Sequence, residues 1–193
     1  ANQSGIKMNV EVTYRRTSRL SLRIGKYGEV RVSAPYGYPK QEIEKFVEER
    51  KEWIAEAQER TRERLEKRDE FFDQLPLTTR QECQDATNRM NAIILPLVEK
   101  YSKLMCVHPS GISYKATISK WGSCATRSRR IQFSAYLLLL PDWCIEHVVV
   151  HELAHLIEPN HSAKFYAVMD KFFPRWREAR EETKRISRME VEE

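Results

Sequence analysis

The sequence predicts an α+β protein. Three observations carry this expectation: blocks of period-two alternation near the start, long apolar stripes at three- and four-residue spacing after them, and two further short extended blocks before a closing run of helices.

Residues 8–34 read as β structure. Val10 and Val12 alternate with polar or charged neighbours, Leu20, Leu22 and Ile24 repeat the pattern, and Val30 and Val32 repeat it again. Lys26-Tyr27-Gly28 reads as a hairpin turn between the last two runs. Pro35 to Pro39 break the pattern.

Residues 40–73 read as one long helix. Ile43, Phe46, Val47, Trp53, Ile54 and Ala57 form an amphipathic stripe, which fades into Glu, Arg and Lys. That later stretch reads as solvated, with ion pairs that each contribute little. Leu75-Pro76-Leu77 ends the helix. Thr79, with Glu82 three residues on, makes a capping box for a helix running to about Met105, and Pro96 inside it should produce a kink.

His108-Pro109-Ser110-Gly111 is a turn. Residues 112–119 and 129–138 suggest two strands, with Trp121-Gly122-Ser123-Cys124 and a basic turn, Arg127 to Arg130, between them. Pro141-Asp142 opens a helix carrying Ile145, Val148, Val149, Leu153 and Leu156, which Pro159 should stop. Ser162 can cap a further helix, and Pro174 fits the first turn of the last one. Arg188 to Glu193 are expected to fray.

Composition narrows the function classes. The chain has 193 residues, 41% hydrophobic and 32% charged, which suits a single core under an ionic surface. A net charge of +5 leaves nucleic acid open as a partner without calling for one. Cys83, Cys106, Cys124 and Cys144 lack C-x-x-C spacing and are too sparse for a disulfide scaffold, so they read as reduced thiols. No apolar run approaches the roughly 20 residues that cross a bilayer, and Ala1 to Val10 hold no apolar signal region. The expectation is a cytoplasmic protein without membrane attachment.

The informative segment is His151-Glu152-Leu153-Ala154-His155. Histidines at i and i+4 lie on one helix face, one turn apart, so their imidazoles can converge on one Zn²⁺. Glu152 is placed to reach a water on the metal rather than the metal itself. Zinc lowers the pKa of its water to about 7, and the carboxylate takes the proton as the water attacks a carbonyl. The same carboxylate can then protonate the leaving amine.

A catalytic zinc needs a third protein ligand and an open position. Glu158 lies on the same face but about 10 Å along the axis from His151. His161 is the better placed, because Pro159 ends the helix and Asn160 tolerates the left-handed backbone that turns the chain back. His147, one turn before His151, can be a spare ligand, a transition-state donor or an ordinary helix-face residue.

Together these residues carry a family resemblance. Val148 to His155, then Pro159-Asn160-His161-Ser162 and Phe165, resemble the YgjP-like metallopeptidases, and Trp121-Gly122-Ser123-Cys124 matches that family's W-G-S-C signature. The Arg-rich opening strands, Val30-Arg31-Val32, Pro35 and the helix through Trp53-Ile54 also match, so the resemblance covers roughly residues 10–180. It implies a zincin-like α+β fold: an active-site helix, a short mixed or antiparallel sheet, and an added N-terminal β region and long helix. It implies a zinc peptidase related to the SprT-like and WLM-type proteins, with one Zn²⁺ on His151, His155 and His161 and with Glu152 as base. Metzincins share the histidine spacing but carry Gly at the position of Glu158, so the turn here must be built differently. The organisation expected is one domain over 1–193, with the N-terminal β region at 8–34, the long helix at 40–73 and the catalytic portion at 78–188. Its substrate would be a protein or peptide.

Other residues have two readings each. Trp121, Gly122 and Ser123 fall where a strand should border the cleft, and serve either substrate binding or packing of that strand against the active-site helix. Cys124 as an inhibitory zinc thiolate is the weaker reading, buried thiols being inert. Tyr166, Tyr136, Tyr114 and His147 are candidates to stabilise an oxyanion. Tyr166 is favoured by its position five residues after His161, against the plainer reading of a packed aromatic. Arg15, Arg16, Arg19, Arg23 and Arg31, with Arg127, Arg129 and Arg130, either form one positive face for DNA, as a DNA-associated protease would need, or a solvated surface balanced by the acidic residues of 40–73.

Overall fold

A computed structural model of the chain describes residues 10–187. The expected fraying of 188–193 lies outside the described residues, as do residues 8 and 9 of the N-terminal β region. The chain divides into two compact units, Ala1–Lys67 and Arg68–Glu193.

The first unit opens with three strands, β1 (Val10–Arg15), β2 (Ser21–Ile24) and β3 (Val30–Pro35). The last of these is the centre of the sheet, parallel to β1 and antiparallel to β2. Alternation explains the placement: Val30, Val32 and Ala34 are buried on one face while Arg31 points outward. The β2–β3 hairpin closes through Gly25 N–H to Glu29 C=O at 2.8 Å, and Gly28 supplies the left-handed conformation at φ +89°.

Two helices follow, α1 (Lys40–Glu48) and α2 (Lys51–Asp73), rather than the single helix expected over 40–73. The break falls at Glu49–Arg50. Arg50 N–H turns back to Val47 C=O at 3.0 Å, while the Arg50 guanidinium lies 3.9 Å from the Phe46 ring centroid and donates to Phe46 C=O at 3.1 Å. The side chain thereby satisfies a carbonyl that the ended helix leaves open. Ile43, Val47 and Ile54 join the β3 valines in a small core. The later part of α2 carries the expected exposed ion pairs, among them Arg60–Glu56 and Arg62–Glu66. Arg31 does not stand as a free positive charge: it pairs with Glu11 and Glu29.

The second unit is organised around two helices, α3 (Arg80–Met105) and α4 (Asp142–Ala154). The Thr79–Glu82 capping box forms as expected, and α3 continues through Pro96, which sits on its exposed side. The second sheet has β4 (Gly111–Lys115), β5 (Gly122–Ala125) and β6 (Arg130–Ser134) in the order β4-β6-β5. Thus the Trp121–Cys124 segment is not a connection between two longer strands. Its last three residues belong to a strand of their own, antiparallel to β6 and at the sheet edge. The expected strands 112–119 and 129–138 are correspondingly shorter. After β6 the chain enters a 3₁₀ turn, Ala135–Leu139, where the Ser134 hydroxyl accepts from Tyr136 N–H and donates to Thr117 C=O.

Helix α4 is apolar nearly all round, as a helix at the centre of a core must be. Val148, Val149, Val150, Leu153 and Ala154 are all buried, together with Ile94, Ile131, Phe133 and Leu137 from elements around it. Two further helices, α5 (Ala163–Phe172) and α6 (Trp176–Ser187), pack against α4. Ser162 caps α5 through Phe165 N–H, as its sequence position suggested. Pro174 lies in the turn just ahead of α6. Strands and helices of this kind, in separate runs, make an α+β fold. Among the described residues, no helix is long and apolar enough to cross a membrane.

Candidate metal centre and its cleft

Helix α4 stops at Ala154, earlier than Pro159 would require. The last turn tightens instead: Leu156 and Ile157 N–H reach back three residues to Leu153 and Ala154 C=O, at 3.0 and 2.9 Å. His151 therefore sits inside the helix and His155 is its C-terminal cap residue. The turn through Pro159 and Asn160 then carries His161 back to them.

The three imidazoles converge. His151 Nε2 lies 3.1 Å from His161 Nε2 and 3.3 Å from His155 Nε2. Three ring nitrogens facing inward at this spacing lack the protons to satisfy one another, since a neutral imidazole carries one N–H and one lone pair. A single cation does satisfy them. Zinc–nitrogen bonds of about 2.0–2.1 Å in a tetrahedron set ligand nitrogens about 3.3–3.4 Å apart. The residues present thus fit one divalent ion, and among the described residues this is the group of three donors close enough to hold one. Glu158 contributes its backbone rather than its carboxylate: its C=O lies 3.4 Å from His155 Nδ1, which aims Nε2 at the other two rings.

Electrostatics favour the ligand form. Burial, then the neighbouring His155, His147 and His161, then Arg180, hold the His151 imidazole well below its ordinary pKa. Burial and His161 lower His155 in the same direction, against the carbonyls of Glu158 and Pro159. Neutral rings offer lone pairs, the state in which histidine binds a metal.

Phe165, fully buried on α5, braces all three ligands. Its ring centroid is 4.9, 4.7 and 4.8 Å from those of His151, His155 and His161. Beside it, Tyr166 stacks between His161 at 6.4 Å and Trp176 at 4.9 Å. Trp176 is fixed in turn by its indole N–H, which donates to Asp170 at 2.8 Å.

Glu152 points to the opposite wall. It is buried, its Oε2 has no hydrogen-bond partner, and burial pushes its carboxyl up to about 8 against the pull of Lys120. Gly122 on β5 is the reason it fits. A Cβ at that position would lie 2.5 Å from Glu152 Oε1 and 2.6 Å from Cγ. Glycine is therefore a steric requirement for the close approach of β5 to α4.

These groups line a cleft of about 510 Å³, a volume suited to a short segment of a ligand. Of the sequence candidates, Trp121, Gly122, Ser123, Cys124, His147, His151, Glu152, His155, His161 and Tyr166 all reach it. Trp121 is nonetheless a buried packing residue, with ring contacts to Phe71 and Phe72. Tyr114 and Tyr136 are not in the cleft lining: Tyr114 donates to Asn91 at 2.9 Å, and Tyr136 packs on Phe72. His147 is buried beside the cleft, and burial with Arg180 lowers it to about 4, so it stays neutral. The Cys124 thiol is pushed up to about 11 by burial and by Glu152, which keeps it protonated and poorly suited to act as a thiolate ligand.

Sequence reasoning missed Lys120, Trp176 and Arg180, which also line the cleft. No local motif marks them. Lys120 precedes the W-G-S-C segment, and Trp176 and Arg180 are one turn apart on a helix whose register against α4 only the fold reveals.

Comparison with family models identifies the family. The family model described as YgjP-like, metallopeptidase domain, matches residues 18–83 and 73–186. No curated protein sequence matches the chain. Among solved structures, the crystal structure of the metallopeptidase zymogen of Pyrococcus abyssi abylysin is similar at 18% identity with a TM-score of 0.47, covering 51% of this chain and 99% of that one.

Proposed function

This chain belongs to the YgjP-like metallopeptidase family, and from that premise we propose that it is a zinc peptidase with His151, His155 and His161 as ligands of one ion and Glu152 as general base. The observation that carries this reading is the convergence of three imidazole nitrogens at tetrahedral spacing, 3.1 and 3.3 Å from His151 Nε2, with a buried carboxylate on the residue next to the first ligand.

Zinc would supply a Lewis acid that polarises the scissile carbonyl and acidifies a water. The rest is done by side chains of this chain. Glu152 accepts the proton from the attacking water and returns it to the leaving amine, so the peptide bond breaks with no net proton consumed by the protein. Burial alone raises its carboxyl, and a cation on the three histidines would favour the charged form that accepts the proton. Tyr166 and His147, the two oxyanion candidates that reach the cleft, are the donors for the negative charge that develops on the carbonyl oxygen. The edge of β5 offers backbone groups to an extended substrate, a protein or peptide. Gly122 and Ser123 lie on that edge, and Trp121 anchors it to the core.

Two variants test the assignment. Elemental analysis should find one zinc per chain in the wild type, and much weaker retention in His161→Ala. Glu152→Gln should keep the zinc and lose peptide hydrolysis. Turnover unchanged in Glu152→Gln would sink the base assignment, and zinc held equally well by His161→Ala would remove the third ligand.

A further inference from the structure

The first sheet carries its charge differently from the helices that pack on it. Ile43, Val47 and Ile54 join Val30 and Val32 in the core, so α1 and α2 cover one face of this sheet. Strand register fixes what stands on the other face. Arg23, Arg31 and Glu11 share one row, Ser21, Ser33 and Thr13 the next, and Pro35 and Arg15 the one after. Arg16 and Arg19 lie in the connection that follows Arg15. Residues 10–35 hold two carboxylates, Glu11 and Glu29, and Arg31 takes both. Arg15, Arg16, Arg19, Arg23 and Lys26 are exposed, and none of them makes an ion pair among the described residues. On α2 the arrangement is the reverse, with Arg60 on Glu56 and Arg62 on Glu59. Helix cations of this unit are paired where the sheet cations are left open.

We propose that this sheet face binds single-stranded nucleic acid, with Arg15, Arg16, Arg19 and Arg23 on its phosphates. The reading is independent of the metal centre. A guanidinium fork meets phosphate oxygens through paired N–H donors, and the hydroxyls of Thr13, Ser21 and Ser33 can donate to the same atoms. Arg23 and Arg15 stand four residues apart in register and two strands apart, about 16 Å, enough to span several phosphates. Exposed tyrosines flank the sheet at both ends: Tyr27 in the β2–β3 turn at 69% exposure, and Tyr36 just after β3 at 74%. Such rings stack on unpaired bases, which a duplex keeps within its own stack. A membrane surface or a folded protein partner would call for apolar side chains to insert or to anchor, and the three rows hold none beyond Pro35.

Salt dependence tests this directly. A fluorescein-labelled oligonucleotide of mixed sequence, offered as a single strand and as a duplex, is titrated with the full chain and followed by anisotropy from about 50 to about 200 mM salt. Each neutralised phosphate of a single strand contributes about −0.7 to the slope of log affinity on log salt, so four arginines give about −2.8, a loss of roughly 50-fold over that range. Arg15→Gln with Arg23→Gln should halve the slope to about −1.4 and reduce the loss to about sevenfold. Arg60→Gln with Arg62→Gln removes the same charge from α2 and should leave the slope as in the wild type. Tyr27→Ala with Tyr36→Ala should weaken single-strand binding at least about tenfold with the slope unchanged. All six side chains are exposed, and circular dichroism checks that each variant stays folded. Three results overturn the proposal: no binding at the lowest salt, equal loss in the two arginine pairs, which would mean net charge alone, or a duplex bound as tightly as the single strand.

Discussion

Replacing Gly122 by alanine should nearly silence the enzyme without emptying its metal site. The added methyl would stand 2.5 Å from Glu152 Oε1, 2.6 Å from Cγ and 2.8 Å from Cδ. Ordinary contact begins near 3.4 Å, so the carboxylate or the strand must retreat by about 0.9 Å. Glu152 is buried on a helix anchored in the core by Val149, Val150 and Leu153, and Gly122 is held in register opposite Phe133 on β6, so neither wall gives freely. A misplacement of about 1 Å in a catalytic group costs on the order of 100-fold in rate, or about 2.7 kcal/mol of barrier. The nearest atoms to the new methyl all belong to Glu152 rather than to a histidine, so zinc content should hold at one per chain. The assay is kcat on a cleavable peptide, with zinc measured on the same sample. Turnover within a few-fold of wild type would show that the approach of β5 to Glu152 does not position the base, and would refute the reasoning.

Three further outcomes follow from contacts elsewhere. Phe165→Ala should weaken both the fold and the metal site, since it empties a fully buried ring site that braces three ligands; about 3–5 kcal/mol of stability is at stake, read by denaturant unfolding, and zinc affinity should fall with it. Phe165→Leu should recover part of the stability and less of the affinity. Tyr101→Phe should cost about 1–3 kcal/mol, because its hydroxyl donates to the Glu146 carboxylate at 2.7 Å and ties α3 to α4. Burial works to raise Glu146, but the hydrogen bonds from Lys100 and Tyr101 outweigh it and hold the carboxyl below its ordinary value. A depressed acid contributes stability that is present above the unfolded pKa and lost as pH falls through the folded one, so the gap between wild type and Tyr101→Phe should close under acid; a gap constant down to pH 3 would contradict this. Thr79→Ala should cost about 1 kcal/mol by removing the cap of α3, and unchanged unfolding would mean the end of that helix is held by other contacts.

Much of the site was legible in sequence because its spacing encodes its geometry. A four-residue step puts His151 and His155 on one face whatever the rest of the fold does, and a proline with an asparagine after it marks the turn that returns His161. Capping at Thr79 and Ser162 was legible for the same reason, being local. The split between α1 and α2 was not, because it depends on Arg50 folding over Phe46, and charged residues in a helical stretch give no warning of it. The early end of α4 was hidden as well: Pro159 dominates the local pattern, while the tightened turn before it leaves no mark in residue type. A strand beside the cleft was expected at the W-G-S-C segment, but its bounds and partner were not legible, because Gly-Ser-Cys-Ala has low strand propensity and pairing with β6 is what makes it extended. Lys120 and Arg180 were invisible, since they reach the cleft only through tertiary packing.

The two sheets repeat one plan, with the strand last in sequence at the centre. In each, the antiparallel partner lies close by: Ile24 pairs with Val30, and Ala125 with Arg130. The parallel partner lies about twenty residues away, Val10 on Val30 and Gly111 on Arg130. Bringing distant residues together costs more chain entropy than closing a tight hairpin. Hairpins form in microseconds from local contacts alone, whereas pairings between distant strands wait for the chain to collapse. The strand that walls the cleft therefore belongs to the half of its sheet with the smaller closure cost. Slippage of β5 by one residue would exchange Gly122 for Trp121 or Ser123 opposite Glu152, so the tight turn from Ala125 to Arg130 also guards the register that admits the carboxylate.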